Sequence, residues 1–394
     1  MNRLVCFLIV LFSTQCLLSS AQLKMSTYSE VSLLTIGPGD QLNDAFGHSG
    51  IRIKDPMFNL DIVFDYGRYD FSAEGFYINF AKGKLDYEIG WTNFERFISY
   101  YSAQKRRVTS QIIELDLDEK QKLFELLQQK IQPQNKTYPY DFFYNNCATK
   151  IKDDIIEVSK NPLILLQPEG FSLMTFRDLI RTHVPSNSWG GFGIDLALGS
   201  VIDQQATLEE HLFLPSYLNL ILGLSKFEVY DKNVVKETRV LNSLQNPYPN
   251  NFWSSPLFVF GILSIISLIL TVLNYKSGGR SKILDLLIFF TTGFVGLILT
   301  LLWFGTDHTA TAYNYNMLWA CVFNLMFIPT LLNNKVHVRF VGYLKFTVLL
   351  LFLMLLHWLT GVQSFNVALL PLWIALMSRY LYLIHWCNNN LKST

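Results

Sequence analysis

Two residues in this chain have the type and surroundings for covalent catalysis, a cysteine at position 147 and a histidine at position 48. Cys147 stands in the string Tyr144-Asn-Asn-Cys-Ala-Thr-Lys150 and is the only cysteine between residue 25 and the first membrane-length apolar run near Pro256. The chain reads as exported, and a lone thiol in an oxidising compartment has no internal disulfide partner. It is therefore either a small buried packing residue or a group in use. Asn145 and Asn146 are good helix caps, and the residues from Cys147 to Glu157 read as the first turns of a helix. A sulfur at a helix start feels the positive end of the helix dipole, which favours its charged form. Nucleophilic catalysis by such a thiol needs a base within hydrogen-bond reach, often oriented by a third polar group.

The region outside the membrane-like runs holds three histidines, His48, His183 and His211. His183 and His211 fall in loop-like sequence. His48 lies in Ala45-Phe-Gly-His-Ser-Gly-Ile-Arg-Ile-Lys54, where strand alternation puts Ile51 and Ile53 on one face and His48, Gly50 and Arg52 on the other. The next strand, Leu60 to Tyr66, places Asp61 and Asp65 opposite Ile62 and Phe64 in the same way. A hairpin centred on residues 56–57 predicts His48 across from Asp65 and Arg52 across from Asp61. Glycines flanking His48 leave room for a backbone or a substrate to approach. No His/Cys/Asp spacing resembles a zinc site, and there is no Gly-x-Ser-x-Gly elbow or phosphate-cradling loop. The pattern calls for no metal or cofactor.

The elements that must position these residues divide unevenly along 394 residues. Half of the residues are hydrophobic and 16% are charged, with a net charge of +1 that argues against a nucleic-acid partner. Residues 1–21 read as a secretory signal: Asn2-Arg3, an apolar stretch from Leu4 to Phe12, and small residues at Ser19-Ser-Ala21. Residues 22–252 read as an α+β domain, and 253–394 as a five-helix transmembrane bundle with segments at about 255–274, 283–304, 316–332, 342–360 and 366–386. Loops 275–282 and 333–341 carry Lys276, Arg280, Lys282, Lys335 and Arg339, loops 305–315 and 361–365 carry no Lys or Arg, and the tail carries Lys392. By the positive-inside rule this alternation places residues 22–252 outside the membrane and the C-terminus in the cytoplasm.

Within the outer domain, strand-like Glu30–Ile36 opens the fold. Asp118–Gln132 and Thr175–Arg181 read as helices. Residues 185–218, rich in glycine and aromatic residues, read as a long loop, either a lid, a membrane-facing segment or an excursion packed on the domain. Residues 228–250 lead toward the membrane. Arg379 and His385 near the inner end of the last segment read as snorkelling side chains. His357 lies near the outer end of the fourth.

The order of a strand histidine followed by a helix-opening cysteine resembles the circularly permuted papain-like fold, the branch of lecithin:retinol acyltransferase-like enzymes and NlpC/P60 relatives. A closer resemblance rests on Phe46-Gly-His-Ser-Gly-Ile-Arg-Ile-Lys-Asp55, Asp65-Tyr-Gly-Arg-Tyr-Asp-Phe71, Phe76 to Lys84, Tyr144 to Thr149, Trp189 to Gly199, Phe213-Leu-Pro215 and Asp307 to Trp319. These strings resemble the Lnb family of bacterial lipoprotein N-acyltransferases. The resemblance implies a bacterial inner-membrane enzyme with a periplasmic catalytic domain. Cys147 would be its nucleophile, His48 its base and Asp65 its third catalytic residue. Asn is usual at that third position, and Tyr66 is the second candidate for it. The implied acyl donor is a membrane phospholipid, and the acceptors are diacylated lipoproteins. Tyr66, Asn146, Arg177, Trp189, His308, Asn314 and Asn316 are the candidates for substrate contact. Two other classes fit the residues: a membrane-anchored cysteine peptidase or amidase acting on cell-wall peptides, and a non-enzymatic envelope assembly module in which Cys147 is inert.

Overall fold

A computed structural model describes residues 23–69, 74–84, 86–229, 231–243, 251–333 and 338–391. The expected export segment 1–21, Lys335 and Lys392 lie outside the described residues. The outer domain is built on a seven-stranded antiparallel sheet. In chain order its strands are β1 (Glu30–Ile36), β2 (His48–Asp55), β3 (Leu60–Arg68), β4 (Asp86–Asn93), β5 (Val108–Ile113) and β6 (Thr137–Pro139). Two short pairs, β7 (Leu163–Ile164), β8 (Lys226–Phe227) and β9 (Lys232–Asn233), form a separate three-stranded sheet, and β10 (Val235–Asn242) returns to the edge of the main one. The order across the main sheet is β10-β5-β1-β2-β3-β4-β6. Residues 228–250, expected to lead straight to the membrane, thus contribute a strand paired with β5.

Among the described residues the domain adds seven α-helices: α1 (Phe76–Lys82), α2 (Phe94–Ala103), α3 (Leu117–Lys130), α4 (Cys147–Val158), α5 (Phe176–Arg181), α6 (Trp189–Ala197) and α7 (Pro215–Leu224). The apolar stripe of α4, Ile151, Ile155 and Val158, lies with Leu123 and Leu127 of α3 on one face of the sheet, against Ile51, Ile53 and Phe64. Phe97 and Tyr101 of α2 cover Leu34, Ile36 and Val63 on the other face. Residues of the central strands are buried on both sides, which removes any simple alternation from β1 and β5.

The β2–β3 hairpin differs from the expected register. Gly50 stands across from Asp65, Arg52 across from Val63 and Lys54 across from Asp61, a shift of two residues. A 3-10 turn at Pro56–Phe58 followed by left-handed Asn59, φ 50°, lengthens the connection. Because the shift is even, every side chain keeps its face. The two anticipated pairs therefore form diagonally: Arg52 donates twice to Asp61 at 2.7 Å, and His48 reaches Asp65.

The C-terminal region holds α8 (Pro256–Ser277), α9 (Lys282–Phe304), the short α10 (Ile328–Leu332), α11 (Val338–Leu359) and α12 (Leu369–Leu391). Among the described residues, α8, α9 and α11 are long and apolar enough to cross a bilayer. The third expected segment, 316–332, is not one helix. It is a bent pair with a 47° break, made of 3-10 turns at Thr309–Thr311, Tyr315–Leu318 and Val322–Phe327 before α10. Such a backbone persists at membrane depth only when its polar groups are covered by protein. Gly296 of α9 provides the cover: a Cβ there would fall 2.1 Å from the Ala320 carbonyl oxygen. Asn324, fully buried in the break, donates to Thr292 and accepts from Tyr343. The fifth segment, α12, has the length of a span but carries Arg379, His385 and Asn388 to Asn390. Arg379 does not snorkel. It is fully buried and bonds Asp285 at 2.7 Å and Asn274 at 2.9 Å, tying α12 to α8 and α9.

Residues 185–218 hold α6, 3-10 turns at Ser200–Asp203 and Glu210–Phe213 and the start of α7, and α6 is the element that docks on the membrane region. Phe192 packs edge-on against Phe260 of α8 with ring centroids 5.0 Å apart, and Trp189 Nε1 donates to the Ser254 carbonyl.

Candidate active site

Cys147 is the first residue of α4, and Asn146 is its cap. The Asn146 Oδ1 accepts from the N–H groups of Ala148 and Thr149, at 2.8 and 3.0 Å, and the Thr149 hydroxyl accepts from the Asn146 N–H. Its Nδ2 donates to the Phe142 and Phe213 carbonyls. All the polar reach of Asn146 is thus spent on holding the helix start against α7's entry, and none remains for a substrate. Among the described residues nothing accepts from the Cys147 N–H. An unpaired N–H at a helix start is one of the four that a helix leaves open.

The imidazole of His48 and the Cys147 sulfur line the same cavity and interact electrostatically. His48 Nε2 stands 3.0 Å from Asp65 Oδ2, which leaves Nδ1 as the ring nitrogen not engaged by Asp65. His48 and Asp65 side chains are 18% and 9% exposed, so the pair works in a largely dry setting. Burial disfavours a charged His48, but Tyr101, the Cys147 sulfur and the hydrogen bond to Asp65 outweigh it and hold its pKa well above the ordinary 6.5. Burial likewise works against a charged Asp65, but the bond and charge of His48, followed by Arg68, pull its pKa below the ordinary 3.8.

Arg68 is a member of this group that sequence reasoning missed. Its Nε and Nη2 donate to Asp65 Oδ1 at 2.9 and 2.5 Å, and Nη2 also donates to Thr92. Regular alternation would put residues 65 and 67 on one face. The β3–β4 ladder slips between Asp65 and Arg68, and Gly67 takes φ +88°, so Arg68 turns back to the Asp65 side. A Cβ on Gly67 would also come within 3.8 Å of the Cys147 Cβ. The available signal was Asp65-Tyr-Gly-Arg68, with a glycine inside a strand pattern.

The thiol and imidazole open on a cavity of about 470 Å³, walled by Phe46, Tyr140, Phe142, Phe213 and Leu214, with Tyr69 and Tyr87 at its side. Of the other predicted residues, only Asn146 lines it. Tyr66 points to the opposite face, 2% exposed, and its hydroxyl donates to Asp154 of α4 at 2.7 Å, so it is not placed to orient His48. Arg177 is fully buried and spends its guanidinium on Asp195, Asp203 and the Leu198 and Gly199 carbonyls. Asn314 and Asn316 are buried and donate to carbonyls at the end of α6. Trp189 is half exposed at the membrane junction, and His308 borders a neighbouring cavity. His183 and His211 are engaged elsewhere, His211 accepting from the Met174 N–H and His183 meeting Ser216.

Residues 18–182 match the Lnb N-terminal periplasmic domain, and residues 249–390 match the Lnb transmembrane domain. Neither a curated protein nor a solved structure matches the chain. A periplasmic domain followed by a transmembrane domain is the order of these two matches, and the sheet-based domain followed by the helical region has the same order. The chain therefore belongs to the Lnb family, as a membrane protein with a periplasmic N-terminal domain.

Proposed function

We propose that this chain is a lipoprotein N-acyltransferase. It moves an acyl chain from a membrane phospholipid, through a thioester on Cys147, to the N-terminal amine of a diacylglyceryl-cysteine lipoprotein. The observation that carries the reading is Cys147 and His48 lining one cavity, with Asp65 bonded to His48 at 3.0 Å, in a domain fixed to membrane helices. In the first half-reaction His48 takes the sulfur's proton, and the thiolate attacks the ester carbonyl carbon. The ester C–O bond breaks, and the departing lysophospholipid oxygen takes the proton back from His48. In the second half-reaction the lipoprotein's neutral amine attacks the thioester, the C–S bond breaks, and the amine's proton passes through His48 to the sulfur. Asp65 holds the ring nitrogen facing away from the thiol and favours imidazolium as it forms. The open Cys147 N–H, at the positive end of α4, is the donor placed for the oxyanion.

Both substrates would meet the enzyme at the outer leaflet of the bacterial inner membrane. On this reading the mature chain lacks its signal, 1–21, and has residues 22–252 in the periplasm and the C-terminus of 253–394 in the cytoplasm, a topology supported by the alternation of Lys and Arg among the loops. The direct test is mass spectrometry of a model lipoprotein's N-terminal peptide from cells carrying the wild-type enzyme, Cys147→Ser or His48→Ala. Wild type yields the N-acylated peptide. Each variant, inserted at normal levels, leaves it diacylated with a free amine. N-acylation persisting in Cys147→Ser would remove the thioester route.

A further inference from the structure

The cavity at Cys147 does not end at its own walls. A second cavity of about 290 Å³ lies beside it, and the two share Phe46, Tyr140 and Phe142. Its wall continues through Ile180 of α5, Ile194 of α6 and Leu198 at the end of that helix, and is closed by the loop from Asp307 to Thr311 that follows membrane helix α9. We propose that this second cavity holds the acyl chain carried on Cys147 as a thioester, an assignment that rests on the acyltransferase reading above.

Three features select an acyl chain over a peptide or a headgroup. The side chains that reach into the cavity from α5 and α6 are aliphatic, and its shared wall is aromatic. The polar group nearest the junction, Asp141, is already engaged: Oδ1 accepts from the Phe143 and Tyr144 N–H groups, and Oδ2 meets the Thr309 hydroxyl. The other ionisable groups of the lining, Asp307 and His308, come from the loop alone, so along the wall made by α5, α6 and the aromatics a peptide would find few of the partners that buried polar groups need. The position fits too. The cavity is roofed by the loop that leaves a membrane-crossing helix, so a chain drawn from the bilayer reaches it beside the membrane surface. The volume equals that of about ten water molecules at about 30 Å³ each, and a methylene is of similar size. A saturated chain of medium length would fill it, with the carbonyl carbon left at the sulfur in the adjoining cavity.

The test uses the full-length enzyme in detergent with p-nitrophenyl acetate and p-nitrophenyl decanoate. In each case Cys147 Sγ bonds the acyl carbon, the ester C–O bond breaks, p-nitrophenolate leaves, and His48 keeps the thiol proton. The rate is read from the p-nitrophenolate burst, and the product from intact-protein mass. For wild type we expect decanoate to acylate Cys147 at least about tenfold faster than acetate, because each added methylene gains by leaving water. Ala310→Phe and Leu198→Trp, on different elements of the wall, should slow decanoate about tenfold or more and leave acetate within about twofold. An acetate rate that survives shows that the variant is folded. Equal wild-type rates for the two esters, or variants that leave the decanoate rate unchanged, would overturn the assignment and spare the nucleophile. Failure of acetate to label Cys147 in wild type would instead strike the acyltransferase reading itself.

Discussion

Asp65 answers to two cations, and its charge has consequences for pH. One oxygen serves His48 and the other Arg68, so the carboxylate can stay ionised in a largely buried place. His48 has a folded pKa raised above 6.5, so it contributes stability in full below that ordinary value and loses it as the pH rises through the raised one. Asp65 has a folded pKa below 3.8, so its contribution is present above 3.8 and lost as the pH falls through the lowered value. The pair is therefore most stabilising between the two ordinary values. Thermal melts in detergent should show a wild-type advantage over His48→Gln at pH 5 to 6 that narrows toward alkaline pH. An advantage that widens there would reverse the sign. In Asp65→Asn the ring loses its anionic partner while Arg68 remains, and His48 falls toward or below its ordinary pKa. The acidic limb of the rate profile should move to lower pH, together with a lower maximal rate.

At the scale of elements, the helix that begins at Cys147 is held at both ends of its exposed work. Asn146 caps it, and two turns later Asp154 takes the Tyr66 hydroxyl from β3 and the Lys130 ammonium from α3. Tyr66 is the neighbour of Asp65, so this bond sets α4 and the Asp65 strand against each other on the core side. Tyr66→Phe leaves a buried carboxylate oxygen short of a donor, at a cost of about 1–3 kcal/mol. That is a fall of a few degrees in Tm for a domain of this size, at roughly 2–4 °C per kcal/mol. KM for the lipid should stay unchanged, whereas a substrate-contact role for Tyr66 would raise it. Asn146→Ala should cost about 1 kcal/mol as a lost cap, with a larger loss in rate because the next residue is the proposed nucleophile. Much of this level was legible in the residues. The cap, the helix start, the histidine strand and the acidic partner follow from local type and alternation. The hairpin register, Arg68 and the broken third segment were not legible. Each depends on a departure from regular geometry, at Asn59, at Gly67 and against Gly296, that only long-range packing settles.

Over the whole molecule, residues that read as substrate contacts turn out to join the periplasmic domain to the membrane region. Helix α6 ends beside the outer loops. Asn314 and Asn316 donate to the carbonyls of Asp195, Leu196 and Ala197, satisfying groups that a helix end leaves open. The Asp195 side chain gathers Arg177, Arg181 and Asn366, and Arg181 continues to Ser364 in the loop before α12. This junction carries no group near the thiol. Under the proposed function its work is to hold the height and tilt of the Cys147 cavity above the bilayer, where a misplacement of about 1 Å can cost on the order of 100-fold in rate. Asn314→Ala with Asn316→Ala removes the cap without touching the site. Transfer from phospholipid in vesicles should then fall at least about tenfold, while iodoacetamide labels Cys147 at the wild-type rate. Equal losses in both assays would mean that the junction supports the fold of the site itself. Unchanged transfer would mean that the catalytic domain finds its lipid without being held, and that the polar residues of the outer loop serve packing alone.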